Sequence, residues 1–160
     1  MAVDILLKIE GMEGESLIKD HEGEIDVLAW SWGMTQSGSM HGGGGGGAGR
    51  VNIQDISFTK YVDKTTPNLM RACCNGEHFT EATLVVRKAG KDPLDYMKVT
   101  MTPVLVTSVA TGGSGGEDRL TENVTLNFAK MHIAYTPQKE DGTGDAAVEL
   151  KWNIEQNVEE

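Results

Sequence analysis

The sequence predicts a mostly β fold, a single-domain β-barrel with one short flanking α-helix. Most of the chain consists of segments in which apolar and polar side chains alternate with a period of two, as in half-buried strands. Six to eight such segments can be counted, and one segment has the start and stop signals of a helix. Several strands change their apolar phase partway along, which indicates β-bulges, and bent strands close naturally into a barrel. The length of 160 residues fits one domain, residues 1–160.

The first two predicted strands flank a polar connection. Residues 3–9 alternate with a period of two, which makes one face apolar and the other mixed, since Leu6 falls on the second face. Residues 11–23 are rich in Glu, Asp, Lys and Gly, as is typical of a surface connection. Residues 25–34 are apolar on both alternating sets, and we expect the indoles of this strand to face the core. That parity places Ala29 and Ser31 on the outer face, where another protein surface could approach closely. The alternative is an ordinary solvent-facing serine.

An extended glycine-rich loop occupies residues 35–50 and contains six consecutive glycines, 42–47. Strand-like segments lie on both sides, so the loop is predicted to project from a sheet as a long finger. Because glycine loses more backbone entropy on ordering than any other residue, we expect this run to stay mobile unless a partner orders it. The alternative is a solvated hairpin tip. A phosphate-binding loop is disfavoured, since a strand follows and no Gly-Lys-Ser/Thr ends the run.

The segment after this loop predicts a bent strand and then the helix. Residues 51–62 change their core-facing phase near Gln54 and Asp55, which a one-residue bulge would explain. Residues 64–76 have a Thr before Pro67, a Leu-Met-Arg-Ala body and a terminal Asn-Gly. These signals predict a helix of about ten residues.

The last four predicted strands are long and well patterned, and they cover residues 82–87, 96–111, 124–135 and 148–154. Pro103 shares the apolar parity of its strand with Leu105, and it indicates an edge or a bulge because proline cannot donate to a ladder. A phase change in the next strand indicates a bulge near Ala129 and Lys130.

Composition limits the partners and the compartment. With 24 acidic and 14 basic residues the formal charge is -10, which repels nucleic acid and anionic membrane surfaces. The N-terminal residues lack the basic region and apolar core of a secretory signal, and no apolar run is long enough for a membrane span. We therefore expect a chain made in the cytoplasm, with no nucleic-acid partner and no membrane insertion.

The two cysteines, Cys73 and Cys74, are adjacent, and adjacent residues almost never bridge each other. Packed or partly buried thiols in a reducing compartment are favoured over a redox or soft-metal site, which would need a spacer and further ligands. The histidines are scattered without a second ligand at metal-site spacing, at positions 21, 41, 78 and 132. No pattern resembles a nucleophile elbow or a protease signature. We predict no enzyme, no cofactor and no metal site.

A second glycine-rich turn carries Glu117, Asp118 and Arg119. Solvated or ion-paired roles are common for carboxylates in such turns. If another copy of the chain packs beside this turn, as the family resemblance described below implies, we expect the turn to dock one of its basic side chains, and the candidates are Arg50, Lys60 and Lys64. Alternatively, Arg119 neutralises its own turn.

Several motifs resemble one known family, and they span 28–34 (LAWSWGM), 37–40 (SGSM), 58–64 (FTKYVDK), 66–69 (TPNL) and 111–128 (TGGSGGEDRLTENVTLNF). The chain, from its first residue to about residue 158, is similar to the haemolysin-coregulated protein family. These are the tube proteins of bacterial type VI secretion. The motif at 111–128 is the most specific.

The resemblance implies a β-barrel of two sheets with a helix on its flank, closing into a hexameric ring. Rings would stack into a tube inside a contractile sheath capped by a spike, and they would carry effector proteins in the lumen. The tube would assemble in the bacterial cytoplasm and be secreted without a cleavable signal peptide. Since the chain stops at Glu160, directly after the last strand, we expect no built-in toxin enzyme.

These implications and the residue patterns together give candidate contact residues. Expected contacts between subunits and stacked rings are Thr35, Gln36, Ser37, Met40, His41, Gly42, Gly47, Arg50, Glu117, Asp118 and Arg119. Expected lumen or effector contacts are Ala29 and Ser31. The competing hypotheses are a stand-alone effector-binding chaperone or adaptor module, and a stand-alone enzyme that uses the glycine loop.

Overall fold

The computed structural model describes residues 3–38, 40 and 49–160. In these residues the chain forms one helix, α1 (Thr66–Asn75), and twelve strands. The strands are β1 (Val3–Ile9), β2 (Ile25–Val27), β3 (Ala29–Ser31), β4 (Met34–Gln36), β5 (Val51–Ile53), β6 (Ile56–Tyr61), β7 (His78–Phe79), β8 (Ala82–Lys88), β9 (Leu94–Gly112), β10 (Thr121–Tyr135), β11 (Val148–Asn153) and β12 (Val158–Glu159). The mostly β class with one flanking helix is confirmed.

Ten strands form one large sheet, and β4 and β5 form a second, small one. In the large sheet the order is β12-β11-β10-β9-β8-β1-β2, while β6 pairs with β10 and β3, and β7 pairs with β9. Strand β2 is the last strand of this order, whereas β3 pairs with β6, and only Leu28 separates β2 from β3 along the chain. The Leu28 N–H donates to the Thr59 carbonyl of β6 at 2.7 Å, so the two parts of the sheet come together here and the sheet wraps around the core. The two sheets are as expected, but the wrapped sheet does not close into one continuous barrel ladder.

The core lies between the inward faces of this wrapped sheet. In β6 the alternation is strict, and Ile56 and Phe58 are buried between half-buried neighbours. The helix α1 packs against β9 and buries Leu69 and Ala72. Removing such apolar side chains from water stabilises the fold by about 25 cal/mol per Å² of apolar surface. The period-two pattern therefore identified the inward set of β6 correctly.

The helix has the boundaries that its sequence signals predict. Pro67 lies in the first turn, where its missing N–H is not needed. Gly76 ends the helix with a φ of 70°, a left-handed conformation that suits glycine, and its N–H donates to the Ala72 carbonyl. Cys73 and Cys74 are both exposed, so the expectation of packed thiols is wrong. The two cysteines are not among the side chains that α1 buries, which are Thr66, Leu69 and Ala72.

The long strands β9 and β10 pair across Pro103, where the burial pattern of β10 changes its phase. In β10 the buried set ends at Phe128 and resumes at Met131, so the phase change in the sequence is real. The register with β9 is nevertheless unbroken across Ala129 and Lys130, and the bulge expected there is wrong. The phase change coincides with Pro103, which offers no N–H to the ladder, and with the point where β10 changes its other neighbour from β6 to β11.

Two other irregularities are placed differently from the prediction. The register of β9 and β10 shifts between Thr125, which pairs with Ser108, and Leu126, which pairs with Val106. Thr107 is therefore the extra residue of a bulge. The phase change at 54–55 is not a bulge, since β5 ends in the small sheet and β6 begins in the large one.

A buried ion pair joins β6, β10 and α1. The side chains of Lys60 and Glu122 are fully buried, and the Lys60 ammonium contacts Glu122 Oε1 directly. It also lies 3.0 Å from Asp63 Oδ1, and the Thr66 hydroxyl donates to Glu122 Oε1 at 2.7 Å. Glu122 Oε2 has no hydrogen-bond partner among the described residues. Lys60 is therefore the one ionic partner of Glu122 among the described residues, whereas the Lys60 ammonium lies between two carboxylates.

Replacing Lys60 by methionine should destabilise the fold by about 3–5 kcal/mol, because Glu122 would be left as an uncompensated buried charge. Urea unfolding followed by circular dichroism measures this difference. The double variant Lys60→Met, Glu122→Leu should recover most of the loss, since apolar replacement of a buried pair is often neutral. The matched control is Lys64→Met, whose exposed ammonium lies 3.6 Å from Glu13 and should contribute at most about 1 kcal/mol. Equal losses for Lys60→Met and Lys64→Met would contradict this account.

Candidate functional site

The base of the glycine-rich loop is a two-stranded hairpin that stands on the surface. In it Thr35 pairs with Asn52 and Gln36 pairs with Val51, and β4 is exposed along its whole length. Ser37 is exposed, and Met40 is 85% exposed. The other predicted contact residues of this loop lie outside the described residues, and they are His41, Gly42 and Gly47.

Polar anchors attach this hairpin to the rest of the fold. The Trp32 indole N–H donates to the Gln54 carbonyl at 2.9 Å. The Arg50 guanidinium donates to the carbonyls of Ile154 and Glu155 at 2.9 and 3.2 Å. Arg50 therefore holds the C-terminal turn of its own chain.

The turn at 117–119 is organised by an aromatic contact rather than by an ion pair. The Arg119 guanidinium stacks on the Tyr61 ring, with its central carbon 3.7 Å from the ring centroid. Within the described chain no ion pair joins Arg119 to Glu117 or Asp118, so the alternative in which Arg119 neutralises its own turn by direct pairing is wrong. Glu117 and Asp118 are both exposed at the surface.

Of the three basic residues expected to reach that turn from a neighbour, Lys60 is excluded. It has no exposed side-chain surface, because it compensates Glu122 in the interior. Arg50 is exposed but already bound to two carbonyls. Lys64 remains the most accessible, since its side chain is about half exposed.

A pocket of about 400 Å³ lies next to the Arg119–Tyr61 stack. Its acidic lining consists of Glu15, Asp26 and Asp63. Burial raises the pKa of the Asp26 carboxyl, and the nearby Asp63 carboxylate acts in the same direction, whereas a hydrogen bond from Ser16 lowers it. The ionised form of Asp26 is therefore disfavoured in the fold, although much of this residue remains exposed.

Asp26→Asn should stabilise the fold slightly at pH 7. The pKa of Asp26 is higher in the folded state than in the unfolded chain, so its unfavourable ionisation appears as pH rises through the folded value. The gain should vanish near pH 3, where both states are protonated. Asp141→Asn is the opposite-sign control, because hydrogen bonds from Thr143 lower the pKa of Asp141.

Thermal unfolding of both variants at pH 7 and pH 3 measures these differences. A stabilisation by Asp26→Asn that persists unchanged at pH 3 would exclude ionisation as its cause.

Ala29 and Ser31 lie on an outward sheet face made of small, uncharged side chains. Both residues are exposed, while Trp30 between them packs against the core, so the predicted parity is correct. The register joins Ala29 to Thr59, Asn123 and Ala110, and it joins Ser31 to Ser57, Thr125 and Ser108. We call this set the small polar face: Ala29, Ser31, Ser57, Thr59, Ser108, Ala110, Asn123 and Thr125.

One carboxylate at the border of the small polar face was not predicted as a site residue. Asp55 Oδ2 accepts from the Thr107 hydroxyl at 2.7 Å, and Asp55 Oδ1 accepts from the Asn127 amide at 2.8 Å. The Thr107 hydroxyl is also 2.7 Å from that of Thr125. The sequence signalled a backbone irregularity at Asp55, but the long-range pairing that brings these side chains together leaves no local pattern.

The described residues contain no group of three or more histidine, cysteine or acidic side chains placed to hold a metal ion. Their one helix is too short and too polar to cross a bilayer. What the described surfaces offer is hydrogen bonding and close packing.

Comparisons with known proteins agree with this description. A family model for "Type VI secretion system effector, Hcp" matches residues 6–135. Protein hcp1 of Pseudomonas aeruginosa is 63% identical over 161 residues, which cover 99% of both chains. The crystal structure of Hcp1 from Salmonella typhimurium is 37% identical with a TM-score of 0.83 and covers all of both chains. Another type six secretion system protein has a TM-score of 0.94 at 25% identity, covering 99% of this chain and 100% of the other.

Proposed function

Because this chain belongs to the Hcp family of the type VI secretion system, whose members form the rings of the secreted tube, we propose that it assembles into hexameric rings. These rings stack into the inner tube, and the lumen of the tube carries effector proteins. The observation that supports this most directly is the small polar face. Four strands present a broad surface with short side chains and no basic residue, as suits a channel wall that must let other proteins approach.

The hairpin and the turn at 117–119 are the proposed contacts between copies. The hairpin stands on the surface with its polar side chains exposed, and the Arg50 clamp fixes its base relative to the large sheet. The proposed contact set is Thr35, Gln36, Ser37, Met40, His41, Gly42, Gly47, Arg50, Glu117, Asp118 and Arg119. In the turn, Glu117 and Asp118 offer carboxylates to Lys64 of the next copy.

Ala29 and Ser31 are the proposed effector contacts, since both point away from the core on the small polar face. The sheath and spike proteins of the secretion machine would bind to surfaces other than the small polar face. The chain works as a structural subunit, not as an enzyme. It assembles in the bacterial cytoplasm and leaves the cell as part of the tube.

Native mass spectrometry of the purified chain tests the ring. We expect a particle of six times the 17.3 kDa chain mass. A monomer that still binds effectors would favour the stand-alone chaperone or adaptor instead, and a monomer that turns over a nucleotide would favour an enzyme. Either result would overturn the proposed tube subunit.

Replacing residues 41–48 with a short turn should leave the fold intact but weaken stacking. The reason is that the loop would lose the contacts proposed to order it against a neighbouring copy. Electron microscopy of the variant measures tube length, and circular dichroism verifies the fold. The matched control shortens the turn at 140–143, which lies far from the hairpin in sequence. Tubes of unchanged length after replacement of 41–48 would contradict a role for the loop in stacking.

A further inference from the structure

Asp55 is a carboxylate held in one orientation beside the small polar face. Both of its oxygens accept a hydrogen bond, one from Thr107 and one from Asn127. These two donors come from β9 and β10, whereas Asp55 lies in the connection between β5 and β6. Three separate parts of the chain therefore converge on one half-buried carboxylate.

The bulge at Thr107 makes this arrangement possible. The register shift between Thr125 and Leu126 leaves Thr107 without a partner in the ladder. Bulges commonly redirect a side chain, and here the hydroxyl reaches both Asp55 and Thr125. The bulge at Thr107 therefore helps to hold the Asp55 carboxylate in one orientation.

The charge of Asp55 is not neutralised by the described protein. Both of its donors are neutral groups, and no ion pair of the described residues includes it. The small polar face contributes hydroxyl, amide and methyl groups and no lysine or arginine. A carboxylate accepts up to about four hydrogen bonds, so two internal donors leave acceptor capacity on Asp55.

We propose that Asp55 is the charge-selecting contact of the small polar face and that it receives lysine or arginine side chains of a bound protein. This inference rests on the proposed function, because it assigns a chemical class to the cargo of the channel wall. A fixed carboxylate among small neutral groups matches a cationic donor, and charge-assisted hydrogen bonds are the stronger class. The short side chains of Ser31 and Ser57 leave room for a long basic side chain to approach.

The test compares Asp55→Asn with Asp92→Asn. Asparagine has the shape of aspartate, and both variants remove one negative charge, but Asp92 lies in the exposed turn between β8 and β9, outside the small polar face and the proposed subunit contacts. The probe is a fluorescein-labelled octalysine peptide, with octaglutamate as the opposite-charge probe. Binding is followed by fluorescence anisotropy at 0.15 M salt and above, where the Debye length of about 8 Å or less suppresses long-range attraction.

We expect Asp55→Asn to weaken octalysine binding several-fold and Asp92→Asn to leave it nearly unchanged. Ser31→Gln should also weaken it, because a bulky side chain would obstruct the same face. If both aspartate variants weaken octalysine binding equally, the net charge of the chain explains the effect, and the proposal is overturned. Unchanged binding by Ser31→Gln would place the peptide elsewhere and overturn it as well.

This outcome can be separated from failure of the proposed function. Native mass reports ring formation for the wild type and for each variant, and peptide binding is measurable whether or not rings form. A wild type that stays monomeric would refute the ring while the peptide series still tests Asp55. Intact rings that bind octalysine equally well with and without the Asp55 carboxylate would refute only the selection of basic cargo.

Discussion

The buried pair of Lys60 and Glu122 constrains the arrangement of β6, β10 and α1. Taking two ions out of water costs several kcal/mol per ion, and their attraction offsets this only when the geometry is good. The Thr66 hydroxyl and the Asp63 carboxylate supply the additional contacts that such geometry needs. Because Thr66 lies in the first turn of α1, the position of the helix depends on a polar contact as well as on the burial of Leu69. An apolar interface alone would tolerate sliding more readily than this pair does.

Fixing Glu122 toward the interior also determines the opposite face of β10. Successive side chains of a strand point to opposite faces, so a one-residue slip would exchange the two sets. With Glu122 inward, Asn123, Thr125 and Asn127 must point outward, where they join the small polar face and its border. The outward direction of these three side chains, and with it the composition of the proposed channel wall, therefore depends on the buried carboxylate of Glu122.

The sequence predicted the local structure well because local structure leaves periodic signals. The period-two pattern located the longer strands but not the two-residue strands β7 and β12, and the Pro67 and Gly76 signals located the helix. The burial of Lys60 also had a signal, since this residue shares the parity of Ile56 and Phe58 in β6. A lysine is so seldom fully buried that it was interpreted as surface, and only the pairing of β6 with β10 brings Glu122 opposite it.

Contacts between distant parts of the chain could not be predicted in this way. The stacking of Arg119 on Tyr61 and the bonds from Arg50 to the C-terminal turn join residues far apart in sequence. Neither leaves a periodic pattern. The phase change of β10 near Ala129 shows the same limit, because the sequence pattern does not tell whether a bulge or a change of neighbouring strand causes it.

The distribution of charge explains why a chain with a formal charge of -10 can still be packed side by side. Like charges repel across a distance set by the Debye length, which is about 8 Å at physiological salt, so only charges close to a shared surface matter strongly. The small polar face contains no charged side chain, and Asp55 stands at its border with both oxygens hydrogen-bonded. A ring that turned this face inward would therefore bring to the wall the few carboxylates at its border, which are Asp55 and also Glu117, since Glu117 lines a pocket with Ala110 and Asn123. This is a small part of the acidic excess of the chain.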